Sequence, residues 1–154
     1  MKTGIIVQAR MGSSRLPGKV MKEFYNGQSM LEVMLGRLET LESTALREAL
    51  EIIVATSTLP GDDAIVKCVG DRFGCFRGSE EDVLSRFYDA ARMFELDTIV
   101  RLTADCPLVD PAEVQRAIAI FEEGGCDYLS NAHPVRTVPS GFDVEVFSRD
   151  ALTY

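Results

Sequence analysis

The residues best equipped for chemistry lie close together near the start of the chain. From Arg10 to Lys19 the sequence reads Arg-Met-Gly-Ser-Ser-Arg-Leu-Pro-Gly-Lys, which puts three cations and two glycines into ten residues. Glycine lets backbone approach a ligand closely, and the N–H groups of such a loop can cradle phosphate oxygens. Arginine adds bidentate donors and lysine a compact point charge. A basic surface loop without a ligand has the same composition. The polyanion reading is favoured by position, because the loop follows Gly-Ile-Ile-Val-Gln-Ala at 4–9, a short β-branched run that reads as a buried strand. Two better-known phosphate motifs are absent. Five residues separate Gly12 from Gly18 and Val20 follows Lys19, so this is no Walker A loop, and the segment holds no G-x-G-x-x-G.

A second chemical candidate is Arg101-Leu-Thr-Ala-Asp-Cys-Pro at 101–107. Asp105 stands at the C-terminal end of an apolar strand, where a carboxylate can hold Mg²⁺ between triphosphate oxygens. An aspartate that caps a turn has the same local signature. Asp143 and Glu145 alternate along a predicted strand and so point to one face of a sheet, either toward a substrate or into solvent. His133 precedes Pro134 in a polar loop and reads as a surface or supporting residue. Arg86 could reach the site or pair with nearby acids, and Asp62 and Asp63 read as helix caps. Cys68, Cys75, Cys106 and Cys126 form no C-x-x-C pair. With a single histidine they make no zinc set, so they read as reduced thiols.

The elements that must position these groups alternate in type. Strands are predicted at 4–9, 51–56, 75–77, 97–103, 127–130 and 142–147. Helices are predicted from Ser29, where Ser29 and Glu32 are spaced as a capping box, and from Pro60 to about Phe73. Two more are predicted after Ser79 and from Asp110–Pro111 to Gly124-Gly125. This alternation is the signature of βαβ units and a mainly parallel sheet. Right-handed crossovers bring the loops after the strands to one edge, where ligands of open α/β sheets bind. Ser148 to Tyr154 reads as a helix beginning, and the chain is expected to continue beyond it.

Composition bounds the function. The 154 residues carry a formal net charge of −8, and 46% of them are apolar. That is enough for one real core, since a domain of this size buries roughly 70% of its unfolded surface. Five of the 16 basic residues and none of the 24 acids lie within residues 1–22. An acidic chain with one basic pocket suits a small polyanion and not a nucleic acid. No apolar run approaches the roughly 20 residues of a membrane helix, and the N-terminal apolar stretch is too short for a signal peptide. A cytoplasmic protein is the expectation, with no membrane partner.

Taken together, Ile-Val-Gln-Ala-Arg-Met-Gly-Ser-Ser-Arg-Leu-Pro-Gly-Lys at 6–19 resembles the N-terminal signature of the cytidylyltransferase family, which includes the CMP-sugar synthetases. Ile53–Ser57, Phe76–Phe87, Arg101–Pro111 and Gly141–Phe147 are similar to the branch of that family associated with spore coat polysaccharide. The resemblance implies a Rossmann-like three-layer α/β/α sandwich, the nucleotide-diphospho-sugar transferase fold, with residues 1–154 a single nucleotidyltransferase domain truncated at its C-terminus. It implies transfer of CMP from CTP to a sugar or sugar acid, with Mg²⁺ and release of pyrophosphate. Ala9, Arg10, Met11, Gly12, Arg15 and Lys19 would bind the CTP phosphates, and Arg10, Lys19 and Asp105 would be catalytic. Asp105 would hold the metal, Ser79 and Arg86 would lie near the nucleoside, and Asp143 and Glu145 would face the acceptor. Family members often form homodimers. A glycosyltransferase using a nucleotide-sugar donor, or a nucleotide-binding module without catalysis, stand as alternatives; against the first, Pro107 interrupts the usual Asp-x-Asp.

Overall fold

The computed structural model of the chain describes residues 1–43, 50–136 and 138–153. Its centre is β1 (Thr3–Gln8), hydrogen-bonded in parallel to β4 (Leu50–Ser57) on one side and to β6 (Thr98–Thr103) on the other. In register, Ile5 lies between Ile52 and Val100. A strand flanked on both sides and covered on both faces has no polar alternation, which is why Gly4 to Val7 reads as an unbroken apolar run. The sheet continues outward through β5 (Gly74–Gly78), parallel to β4. On the far side come β8 (Glu145–Ser148) and β7 (Tyr128–Ser130), both paired antiparallel. The order β5-β4-β1-β6-β8-β7 is thus parallel at its centre, as the alternation of elements predicts.

Alternate strand residues serve opposite faces. Ile5, Val7, Val54 and Leu102 pack with α1 (Met30–Leu38), α2 (Asp63–Val69) and α4 (Pro111–Glu122). Ile6, Ile53 and Ile99 pack with Phe87, Ala90 and Ala91 of α3 (Val83–Met93). The result is the expected three-layer α/β/α sandwich. None of the helices described is long and apolar enough to cross a membrane.

Local chemistry explains where the elements start and stop, and corrects several sequence expectations. The Ser29–Glu32 capping box is present, with Glu32 N–H donating to Ser29 Oγ at 3.2 Å and Ser29 N–H to Glu32 Oε2 at 2.7 Å. Helix α2 ends at Val69 and not near Phe73, because Gly70 turns the backbone at φ 57°. Helix α3 is capped by Asp82, which accepts from Ser85 N–H at 2.9 Å. Ser79, after which the sequence predicts this helix, instead accepts from Asp82 N–H. Strand β8 begins at Glu145, not Phe142, since the Asn131 side chain takes the Phe142 carbonyl and the Val144 N–H. Asp143 therefore precedes the strand. A hairpin of β2 (Glu23–Tyr25) and β3 (Gln28–Ser29) is additional. Its signal was Asn26-Gly27, both at positive φ as a type I′ turn requires.

The sharpest correction concerns Asp62. It occupies the N-cap position of α2, but its side chain caps nothing. The carboxylate, on a residue only 2% exposed, accepts from Met11 N–H at 2.7 Å and from Thr56 Oγ1 and Ser57 N–H at 2.9 and 3.0 Å. It also accepts from Ser57 Oγ at 2.5 Å. It ties the loop after β1 to the end of β4. Burial works against its ionisation, but the bonds from Ser57, Met11 and Thr56 outweigh burial and hold the carboxyl below its usual range. Leaving buried donors unmet costs about 1–3 kcal/mol each, so Asp62→Ala should lose about 3 kcal/mol of unfolding free energy in urea titration. A depressed carboxyl contributes fully above the ordinary value and loses that contribution as pH falls through the folded one. The gap between wild type and variant should therefore hold from neutral pH down to about pH 4 and close below it. Coincident urea transitions at pH 7 would refute this role.

Candidate active site

Because β1, β4 and β6 run parallel, the loops that follow them leave from one edge of the sheet. The loop after β1 is shaped by its own backbone: Ser13 N–H and Gly18 N–H both donate to the Met11 carbonyl at 2.9 Å, and Lys19 N–H to Leu16 at 3.2 Å. Gly18, at φ 68°, takes the left-handed turn that returns the chain toward the sheet. Gly12 leaves room for the Glu80 carboxylate, which a Cβ there would meet. Ala9, 1% exposed, anchors the start of the loop by donating to the Ala55 carbonyl at 3.1 Å. Across the edge, Ala104 N–H donates to the Gln8 carbonyl at 3.0 Å and draws the loop after β6 alongside.

Between these loops lies a cavity of about 270 Å³. Arg10, Ser13, Ser14, Arg15 and Lys19 line it from the first loop, Gln8 from the end of β1, and Arg101, Thr103 and Asp105 from the other side. Four cations thus face one carboxylate in a chain that is acidic as a whole. Lys19 Nζ is ion-paired to Asp105 Oδ2, across 86 residues of sequence. Burial alone would push the Asp105 carboxyl up. The hydrogen bond and charge of Lys19, together with the Thr103 hydroxyl, outweigh it and hold the carboxyl below its ordinary range. Arg10 and Arg15 make no hydrogen bond or ion pair with the described residues.

The other predicted residues fall around this centre in distinct ways. Met11 contributes its carbonyl and N–H to the loop, and its side chain rests on the core beside Gly18. Ser79 and Arg86 lie off the cavity. Arg86 is fully buried and donates from Nη1 to the Ser79 carbonyl and, at 3.2 Å, to that of Glu80. Its Nε and Nη2 have no partner among the described residues. Burial, then the charge of Arg10, lowers its proton affinity, against the pull of Asp62, Glu80 and Asp82. Asp143 and Glu145, though not on one strand, line the same smaller cavity of about 150 Å³, which shares Arg101 and Thr103 with the first. Neither is a bare acid. Glu145 accepts from Arg101 Nη1 at 2.5 Å and from Tyr128 OH at 2.6 Å, and Asp143 is ion-paired to Arg136.

Gln8, Arg101 and Thr103 were not singled out by sequence, although Arg101, Thr103 and Asp105 alternate along and just past β6 and so share a face. A divalent cation fits the oxygen donors present. Asp105 offers a carboxylate, and Gln8 Oε1 is a buried acceptor without a partner among the described residues, on the wall of the same cavity. No group of three His, Cys, Asp or Glu side chains is placed to hold a metal ion among the described residues, so such an ion would draw most of its ligands from elsewhere.

Comparison with known proteins gives the family and the fold. An uncharacterized protein of Methanocaldococcus jannaschii is 37% identical over 99% of this chain and 59% of its own length. The spore coat polysaccharide biosynthesis protein SpsF of Bacillus subtilis is 36% identical over 96% of this chain, again 59% of its length. The chain therefore spans about 59% of the length of each of these two curated relatives. Among solved structures, a cytidylyltransferase from Leptospira borgpetersenii superposes with a TM-score of 0.85 at 35% identity, covering 99% of this chain and 62% of that one. The fold is also that of CMP:2-keto-3-deoxy-manno-octonic acid synthetase complexed with CTP, with a TM-score of 0.73 at 19% identity over 99% of this chain and 76% of that one. A family model described as cytidylyltransferase matches residues 4–147, from the first buried strand through the acid that pairs with Arg101, and it is to the cytidylyltransferase family that this chain belongs.

Proposed function

We propose that residues 1–154 form the nucleotide-binding domain of an enzyme that transfers CMP from CTP to a sugar or sugar acid and releases pyrophosphate. Its product would feed synthesis of a surface or spore coat polysaccharide, as the name of the Bacillus subtilis relative suggests. The observation that carries this reading is the cavity in which Arg10, Arg15 and Lys19 face Asp105 at the edge of the sheet. A triphosphate brings charge that these cations neutralise, and Ser13, Ser14 and the loop N–H groups add donors. The acceptor oxygen attacks the α-phosphorus in line with the departing pyrophosphate. The chain's own part is then positioning and charge neutralisation, with Arg10 and Lys19 contacting the oxygens on which charge accumulates. Asp105, with Gln8 beside it, would hold Mg²⁺, which when bound supplies further charge neutralisation at the phosphates. Lys19 exchanges its carboxylate partner for phosphate in this scheme, so the ion pair with Asp105 keeps both groups in place. Ser79 and Arg86 act on the nucleoside side: Arg86 holds the carbonyls of the turn after β5, a backbone surface suited to reading a base. Asp143 and Glu145 face the acceptor from the adjoining cavity.

A thermal-shift panel of CTP, UTP, ATP and GTP, each with and without Mg²⁺, tests binding. CTP with Mg²⁺ at a hundredfold excess over Kd should stabilise by about 2.7 kcal/mol, a rise of several degrees, while the other nucleotides do little. Equal shifts with all four would remove the assignment of CTP. For catalysis, Arg10→Ala and Lys19→Ala should each lower kcat/KM by about a hundredfold in pyrophosphate release with 3-deoxy-manno-octulosonate as acceptor, the magnitude typical of losing one donor to a charge that develops in the transition state. Release at the wild-type rate in either variant would reject the roles given to them.

A further inference from the structure

Cytidylyl transfer, on which this inference rests, needs one group that the cationic cavity does not leave free. The acceptor hydroxyl must lose its proton as its oxygen attacks; arginines cannot take it, and the one carboxylate there, Asp105, is ion-paired to Lys19 and held below its ordinary range. The smaller cavity can. It shares Arg101 and Thr103 with the first, so a sugar held there lies against the triphosphate, and its wall carries three side chains able to accept a proton: Asp143, Glu145 and His133.

Two of the three are already committed. Both oxygens of Glu145 are used, Oε2 by Arg101 Nη1 and Oε1 by the Tyr128 hydroxyl. Both oxygens of Asp143 are used by the Arg136 guanidinium, Oδ2 at 3.1 Å. The bond from Arg136 foremost, set against burial and aided by the charges of Arg136 and His133, holds the Asp143 carboxyl below its ordinary range and makes it a weak base. His133 makes no hydrogen bond with the described residues, and its ring is exposed on the rim of the cavity. Imidazole is the side chain best matched to proton exchange near neutral pH.

We propose that His133 is the general base of the reaction. The acceptor O–H bond breaks toward an unprotonated ring nitrogen of His133 while the oxygen forms its bond to the α-phosphorus. The bond from that phosphorus to the bridging oxygen breaks, and pyrophosphate leaves with the electron pair. The proton on the imidazolium, which faces Asp143, then passes to water, because the ring is exposed. The charged and titratable groups around the ring (Asp143 with Arg136, Glu145 with Arg101) are held in ion pairs.

The test compares wild type with His133→Gln in CTP-dependent pyrophosphate release with 3-deoxy-manno-octulosonate between pH 5 and 9. The variant should lose at least a hundredfold in kcat, keep the CTP-induced thermal shift, lose the acid limb of the wild-type profile, and regain rate when imidazole is added to the buffer. Chemical rescue and a vanished limb are outcomes that a merely structural histidine would not produce. A variant with the wild-type rate and limb, or one that is slow but neither flattened in pH nor rescued, overturns this role and leaves cytidylyl transfer standing. Absence of CTP-dependent release from the wild type removes the transfer reading, and the base with it.

Discussion

Lys19 and Asp105 meet across the edge of the sheet, and much of the molecule is arranged so that they can. One leaves the loop after β1 and the other the loop after β6, and the strands that carry those loops are adjacent and parallel. Had β6 run the other way, its following loop would lie at the opposite end of β1, roughly 20 Å distant for a six-residue strand. The pair is partly exposed, 30% for Lys19 and 38% for Asp105, and contributes little to stability by itself. Its importance is electrostatic and positional. Four cations in one cavity repel one another, and one carboxylate among them offsets part of that repulsion without filling the space between Arg10, Arg15 and Arg101.

Holding that loop in place is the work of a group outside the cavity. Asp62 is almost wholly buried and spends its carboxylate on Met11 N–H and on the end of β4. A loop with two glycines and a proline has few apolar contacts to fix it, so a charge-assisted bond to its backbone is an effective restraint. The restraint takes the Met11 N–H and leaves the side chains of Arg10, Ser13, Ser14 and Arg15 on the cavity wall. Arg86 performs the comparable task on the turn after β5, through carbonyls in place of an N–H. Asp62 does not reveal its hold on the loop from its local sequence, because Met11 lies 51 residues away.

The second cavity is built differently. Its acids are matched by Arg101 and Arg136, so it is polar and close to neutral, suited to a hydroxylated ligand more than to a polyanion. Arg101 belongs to both cavities and lies over the Phe87 ring, 5.8 Å from its centre, which fixes the guanidinium between them. A donor held at that junction couples whatever occupies one cavity to whatever occupies the other.

Much of this was legible from residue order. The β-branched run at 4–7, the apolar periodicity of the helices and the capping box at Ser29 specify strands and helices through contacts within a few residues, and their alternation specifies a parallel sheet. The cationic loop and Asp105 were legible for the same reason, since the direction of parallel strands places the loops that follow them at one edge. What only the tertiary structure decided were the relations that depend on distance in space: that Asp62 holds a loop and does not cap a helix, that Asp143 lies before β8 because Asn131 takes its neighbours' hydrogen bonds, that Glu145 and Asp143 are neutralised by arginines, and that His133 lines the same cavity with no hydrogen bond to the described residues. Pairing between side chains far apart in sequence leaves no periodicity to read, so a carboxylate looks the same in a sequence whether it is free, salt-bridged or buried under a loop.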